Sequence, residues 1–210
     1  GNAYANKGEY DRAIADYDQA IGLKPNFAEA YLGRGNAYAQ KGDYERAIAD
    51  FDQAIRLKPD YALAYNNRGV AYAKKGEYYR AIADCDQAIR LKPDFAEAYY
   101  NRGLAYADKG EYDRAIADYD QAIRLKPDFA EAYYNRGVAY ADKGEYDRAI
   151  ADYDQAIRLK PDFAEAYYNR GLAYADKGEY DRAIADYDQA IRLKPDFAEA
   201  YYNRGLAYAD

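Results

Sequence analysis

Six prolines and six glycines of this chain stand on a single comb with a spacing of 34 residues. The prolines are Pro25, Pro59, Pro93, Pro127, Pro161 and Pro195; the glycines are Gly8, Gly42, Gly76, Gly110, Gly144 and Gly178. No insertion breaks either series. Helix breakers returning at a fixed interval of this size divide a chain into stacked copies of one unit, none of which can bury its apolar face alone. The function of such a chain is a property of the surface that the stack presents.

Composition removes most chemistry from consideration. The 210 residues include no Ser, Thr, His, Trp or Met, and a single Cys. The common hydroxyl nucleophiles are missing, and so is the commonest general base. One thiol builds neither a zinc site nor an internal disulfide. The expectation is a protein that is not an enzyme and carries no cofactor and no metal. Its net charge of −7, from 37 acids against 30 bases, argues against a nucleic-acid partner. No apolar run reaches the ~20 residues of a membrane span, so no membrane partner is expected either. The chain begins with Gly, reads as a piece of a longer protein, and is assigned by default to the cytoplasm. Half of it is apolar and 29 residues are Tyr, which is not the composition of a disordered segment.

Residues 96–129 serve as the type unit. Asp94, with Glu97 three residues on, reads as a capping box that opens a first helix. Tyr99, Gly103 and Tyr106 share one face of that helix, and Gly110 stops it after Lys109. Ala115, Ile116, Tyr119, Ala122 and Ile123 share one face of a second helix, which Pro127 ends at Lys126. Two helices of about 14 residues joined by a short turn make an antiparallel pair.

The series Tyr99, Gly103, Tyr106, Gly110, Tyr112, Ala115, Tyr119, Ala122 and Pro127 closely resembles the tetratricopeptide repeat, and the resemblance covers the whole chain. It implies an all-α fold, a right-handed superhelical solenoid of antiparallel helix-turn-helix repeats. One array is expected, with full repeats at 28–61, 62–95, 96–129, 130–163 and 164–197. Partial repeats at 1–27 and 198–210 flank them, the first with only half of its first helix. Two columns depart from the family pattern. Arg34, Arg68, Arg102, Arg136, Arg170 and Arg204 stand where the family usually has Leu. Asp16, Asp50, Asp84, Asp118, Asp152 and Asp186 stand where a designed consensus of the family has an aromatic residue. The two columns suggest a cross-helix ion pair, Arg102 to Asp118 in the type unit; the alternative is a surface pair of Asp118 with Arg114. Cys85 shares a column with Phe51, Tyr119 and Tyr153, and reads as a small buried hydrophobe rather than a redox switch.

A second stripe runs along the first helix: Glu97, Asn101, Leu104 and Asp108, with Tyr100 beside them. In the tetratricopeptide family the first helices line a concave groove in which partner peptides lie. By resemblance this stripe is the groove lining, and its tyrosine is expected to be exposed. Its copies are Glu131, Tyr134, Asn135, Val138 and Asp142, then Glu165, Tyr168, Asn169, Leu172 and Asp176. Upstream the stripe changes to Leu32 and Asn36, then to Asn66, Asn67, Val70 and Lys74. The C-terminal half is thus expected to be acidic and aromatic, and the N-terminal half nearly neutral. A non-catalytic interaction scaffold follows, binding protein or peptide segments and preferring those with Lys or Arg among apolar residues. In the C-terminal half the glutamate column contradicts the carboxylate clamp known from one branch of the family, which needs Lys or Arg there. Two alternatives stand beside this reading. One is a self-assembling array joined head to tail through its open ends; the other is an idealised or engineered array without a dedicated ligand.

Overall fold

The computed structural model describes residues 8–209. Among them are twelve helices and no strand. The second helices of the repeats are α1 (Tyr10–Leu23), α3 (Tyr44–Leu57), α5 (Tyr78–Leu91), α7 (Tyr112–Leu125), α9 (Tyr146–Leu159) and α11 (Tyr180–Leu193). The first helices are α2 (Ala28–Gln40), α4 (Ala62–Lys74), α6 (Ala96–Asp108), α8 (Ala130–Asp142), α10 (Ala164–Asp176) and α12 (Ala198–Ala207). The expected half-helix at residues 1–7, and Asp210, which follows Asp108, Asp142 and Asp176 on the stripe, lie outside the described residues.

The comb sets the helix ends by two different mechanisms. At the end of a first helix the glycine adopts a left-handed conformation, φ 75° at Gly144. Gly144 N–H then donates to Ala141 and Glu145 N–H to Tyr140, both at 2.8 Å, which satisfies two carbonyls of the last turn. At the end of a second helix the proline forces the preceding lysine into extended backbone, φ −138° and ψ 85° at Lys126. Lys126, Pro127, Asp128 and Phe129 then close a turn through Phe129 N–H to the Lys126 carbonyl at 3.1 Å. This turn corrects the expected capping box. Asp94 is spent inside the equivalent turn, the N-cap is Phe95, and no side chain caps α6.

The helices divide into two compact units, one ending at Lys109 and the other beginning at Gly110. In the first, α2 pairs with α3 and α4 with α5, while α2, α4 and α6 also touch in succession. In the second, α8 pairs with α9 and α10 with α11, and α8, α10 and α12 touch in the same way. Small residues let the helices approach and one large residue fills the middle. Tyr153 and Tyr187 are buried among alanines such as Ala149, Ala156, Ala183 and Ala190, each essentially sealed from solvent. Phe51 and Cys85 hold the same place in the first unit, so Cys85 is the small buried residue its column implies.

The arginine and aspartate columns do meet across the hairpin. Arg136 grips Asp152 with two parallel hydrogen bonds of 2.7 and 2.6 Å, and Arg170 grips Asp186 in the same way. Arg34 with Asp50 and Arg68 with Asp84 repeat the fork in the first unit. Arg148 and Arg182 pair instead with Glu145 and Glu179, so the surface alternative is not taken in these repeats. Each fork arginine also reaches back to the preceding second helix: Arg34 to Asp18 and Arg68 to Asp52, both at 2.6 Å, and Arg136 to Asp120. One guanidinium therefore ties three helices. Burial pushes the Asp84, Asp152 and Asp186 carboxyls above the ordinary carboxylate range, against the pull of their arginines.

Candidate peptide-binding surface

The first helices carry the stripe, and the structure sorts its columns into interior and surface. Leu32, Asn66, Tyr134 and Tyr168 belong to one column. Leu32 is buried against Phe51 and Ala47, and Asn66 is also buried. Tyr134 lies half-buried, its ring centroid 4.7 Å from Phe163 and 5.9 Å from Tyr153. Tyr168 packs identically on Phe197 and Tyr187. The expected exposed tyrosine is therefore a packing residue wherever the next hairpin covers it. Only Tyr202, on α12, is open, at 68% exposure.

The asparagine column is committed inside the protein. In the first unit Asn101 donates to Asn66 at 2.9 Å, Asn66 to Asn67 at 3.1 Å, and Asn67 to Asn36 at 2.8 Å, a ladder across three first helices. In the second unit Asn169 donates to the Tyr134 hydroxyl at 2.8 Å, and Asn203 to that of Tyr168 at 2.9 Å. Burial raises the Tyr134 phenol above its ordinary value. Asn135 turns back to the Glu131 carbonyl at 2.9 Å. These bonds tie neighbouring first helices together, and they draw on the amide donors of the stripe.

The glutamate column faces lysines that the helical stripe does not contain. Lys160 approaches Glu131 at 3.4 Å and Lys194 approaches Glu165 at 3.6 Å, each from the turn before its proline. Glu97, in the first unit, also has partners. The outward part of the stripe is thus narrower than its sequence pattern. Val70, Leu104, Val138 and Leu172 are half-buried, while Lys74, Asp108, Asp142 and Asp176 are exposed.

These residues border two cavities at equivalent places. In the first unit a cavity of about 750 Å³ opens between α2, α3 and α4. Asn36 and Gln40 line it from α2, Tyr44 and Phe51 from α3, and Val70 and Lys74 from α4. In the second unit a cavity of about 210 Å³ opens between α8, α9 and α10, lined by Val138, Asp142, Tyr146, Tyr153, Leu172 and Asp176. The sequence reading missed Tyr44 and Tyr146. Their column, the first residue of each second helix, is Tyr in every repeat and was the available signal. Among the described residues no cluster of carboxylates and thiol could hold a metal ion, and no helix is long and apolar enough to cross a membrane.

The resemblance is met by independent comparison. Family models described as TPR repeat match residues 1–42, 35–76, 103–144, 139–178 and 171–210. Models described as tetratricopeptide repeat match 62–95 and 85–117. No curated protein matches. Among solved structures, YrrB, titled a TPR protein with an unusual peptide-binding site, is 26% identical over 90% of this chain and 97% of its own, with a TM-score of 0.70. MamA is 33% identical over 79% of this chain and 96% of its own, also with a TM-score of 0.70. A chain of the APC/C hetero-tetramer Cut9–Hcn1, at 22% identity, shares the fold over 97% of this chain and 41% of that one, with a TM-score of 0.85. This chain belongs to the tetratricopeptide repeat family.

Proposed function

We propose that the chain is a non-catalytic scaffold that holds peptide segments on the surface of its first helices, and that the C-terminal unit prefers segments with Lys or Arg among apolar residues. The observation that carries this is the cavity of the second unit. Two exposed carboxylates, Asp142 and Asp176, flank an apolar floor of Val138 and Leu172 there. Neither aspartate has an ion-pair partner among the described residues. Acids over an apolar floor attract a cation while the floor takes an aliphatic side chain, and the attraction is screened by salt. The peptide-binding site named for YrrB supports the same use of the fold.

The test is a fluorescence-anisotropy titration with a labelled extended peptide of alternating Lys and Leu. Asp142→Lys with Asp176→Lys is expected to weaken binding about fivefold or more, with helix content unchanged because both residues are exposed. Undiminished affinity in the double variant overturns the assignment.

A further inference from the structure

The two cavities occupy the same place in the repeat and differ at the residues that carry charge. Where the second unit has Asp142 and Asp176, the first has Gln40 and Lys74. Where the second has Val138, the first has Asn36. The Lys74 ammonium is exposed and has no ion-pair partner among the described residues. Asn36 accepts from Asn67 through its carbonyl oxygen, which leaves its own N–H groups available as donors. Lys41, at the rim, is paired with Asp11. The acids at the start of α3 are also spent: Asp43 on Arg46, and Glu45 on Lys75 at 3.1 Å. The rim of the N-terminal cavity therefore offers donors and positive charge above an apolar floor of Val70, Ala71 and Phe51. The floor is also roomier, since Val70 stands where the second unit has Leu172, and Phe51 where it has Tyr153.

We infer that the N-terminal unit takes a peptide segment with an acidic residue beside an apolar one, the charge opposite of the segment preferred by the C-terminal unit. The occupant follows from charge complementarity. A carboxylate gains the Lys74 ammonium and the Asn36 amide, whereas a lysine there meets like charge. This inference rests on the reading that the first-helix surfaces hold peptides.

Two labelled peptides of one length test it, alternating Leu with Glu in one and Leu with Lys in the other. Each is titrated against the unaltered chain, against Lys74→Asp, and against Asp142→Lys with Asp176→Lys. All three substituted positions are exposed, and circular dichroism checks that the fold is kept. Lys74→Asp is expected to weaken the acidic peptide about fivefold without weakening the basic one; the C-terminal double variant is expected to weaken the basic peptide without weakening the acidic one. If both peptides bind but Lys74→Asp leaves the acidic one untouched, the charge assignment falls and the peptide-binding reading stands. If only the basic peptide binds, the charge assignment falls in the same way. If neither peptide binds the unaltered chain, both fall.

Discussion

Gly137 shows what each position in the hairpin must satisfy. A β-carbon there would sit 2.8 Å from the Tyr153 ring and 3.2 Å from the Ala149 carbonyl oxygen. Replacing a helical glycine by alanine ordinarily stabilises by about 1 kcal/mol, while overpacking a filled core costs about 1–3 kcal/mol. The ring is pinned between alanines and cannot retreat from a 2.8 Å contact, so the clash wins. Gly137→Ala is expected to destabilise by about 1–2 kcal/mol in chemical denaturation. At Gly69 the same column faces Cys85 instead, and the new atom would meet the Ala81 carbonyl oxygen at 3.1 Å and the sulfur at 3.2 Å. Gly69→Ala is therefore expected to be close to neutral. Equal losses at the two sites would show that the aromatic ring is not what decides. Tyr134 carries the same lesson on the other face of the first helix. Its ring rests on Phe163, so Tyr134→Ala is expected to lower stability as well as any affinity, and is a poor probe of binding.

Helices and their pairing were legible from the comb, because Gly and Pro act through their own backbones. What lay between elements was not. Arg136 stands 16 residues from Asp152 and 16 residues from Asp120 on its other side. In a perfect repeat both aspartates recur with the arginine, so spacing could not show that the guanidinium takes both. The spacing of Tyr134 within its own helix places it on the stripe, but cannot show a ring arriving from the turn after the next helix. The capping box failed for a similar reason, since Asp94 fits that pattern but belongs to a turn that closes first. The staple has a measurable consequence. Removing one partner of a partly buried pair leaves an uncompensated charge and costs about 3–5 kcal/mol when burial is deep. Arg136 keeps Asp120 and some solvent, so Asp152→Ala is expected to cost about half of that. Adding Arg136→Leu is expected to recover part of the loss, because the half-paired guanidinium goes with it. Additive losses in this cycle would mean that the fork contributes no coupling.

At the scale of the whole molecule the 29 tyrosines link the fold to alkaline pH. Burial raises the phenols of Tyr17, Tyr61, Tyr134, Tyr140, Tyr153, Tyr168, Tyr174 and Tyr187 above the ordinary value of 10.0, most strongly at Tyr153 and Tyr187. A group whose folded pKa is raised contributes stability that is complete below its unfolded value and is lost as pH climbs toward its folded value. Above pH 10 the unfolded chain releases these protons while the folded chain holds them, so each such tyrosine draws the equilibrium toward unfolding. Tyrosinate absorbance from this buried set is therefore expected to rise in a steep step that coincides with loss of helical circular dichroism. Lysine ion pairs weaken in the same range, since acidic neighbours raise Lys75, Lys143 and Lys177. The tyrosine contribution is isolated by Tyr153→Phe with Tyr187→Phe. Phe51 already fills that column in another repeat, fully buried, so the ring fits without its hydroxyl. The double variant is expected to hold its helices to a higher pH than the unaltered chain. An unchanged midpoint would assign the alkaline transition to the lysines, and a single smooth tyrosinate curve with helix retained would remove the buried set altogether.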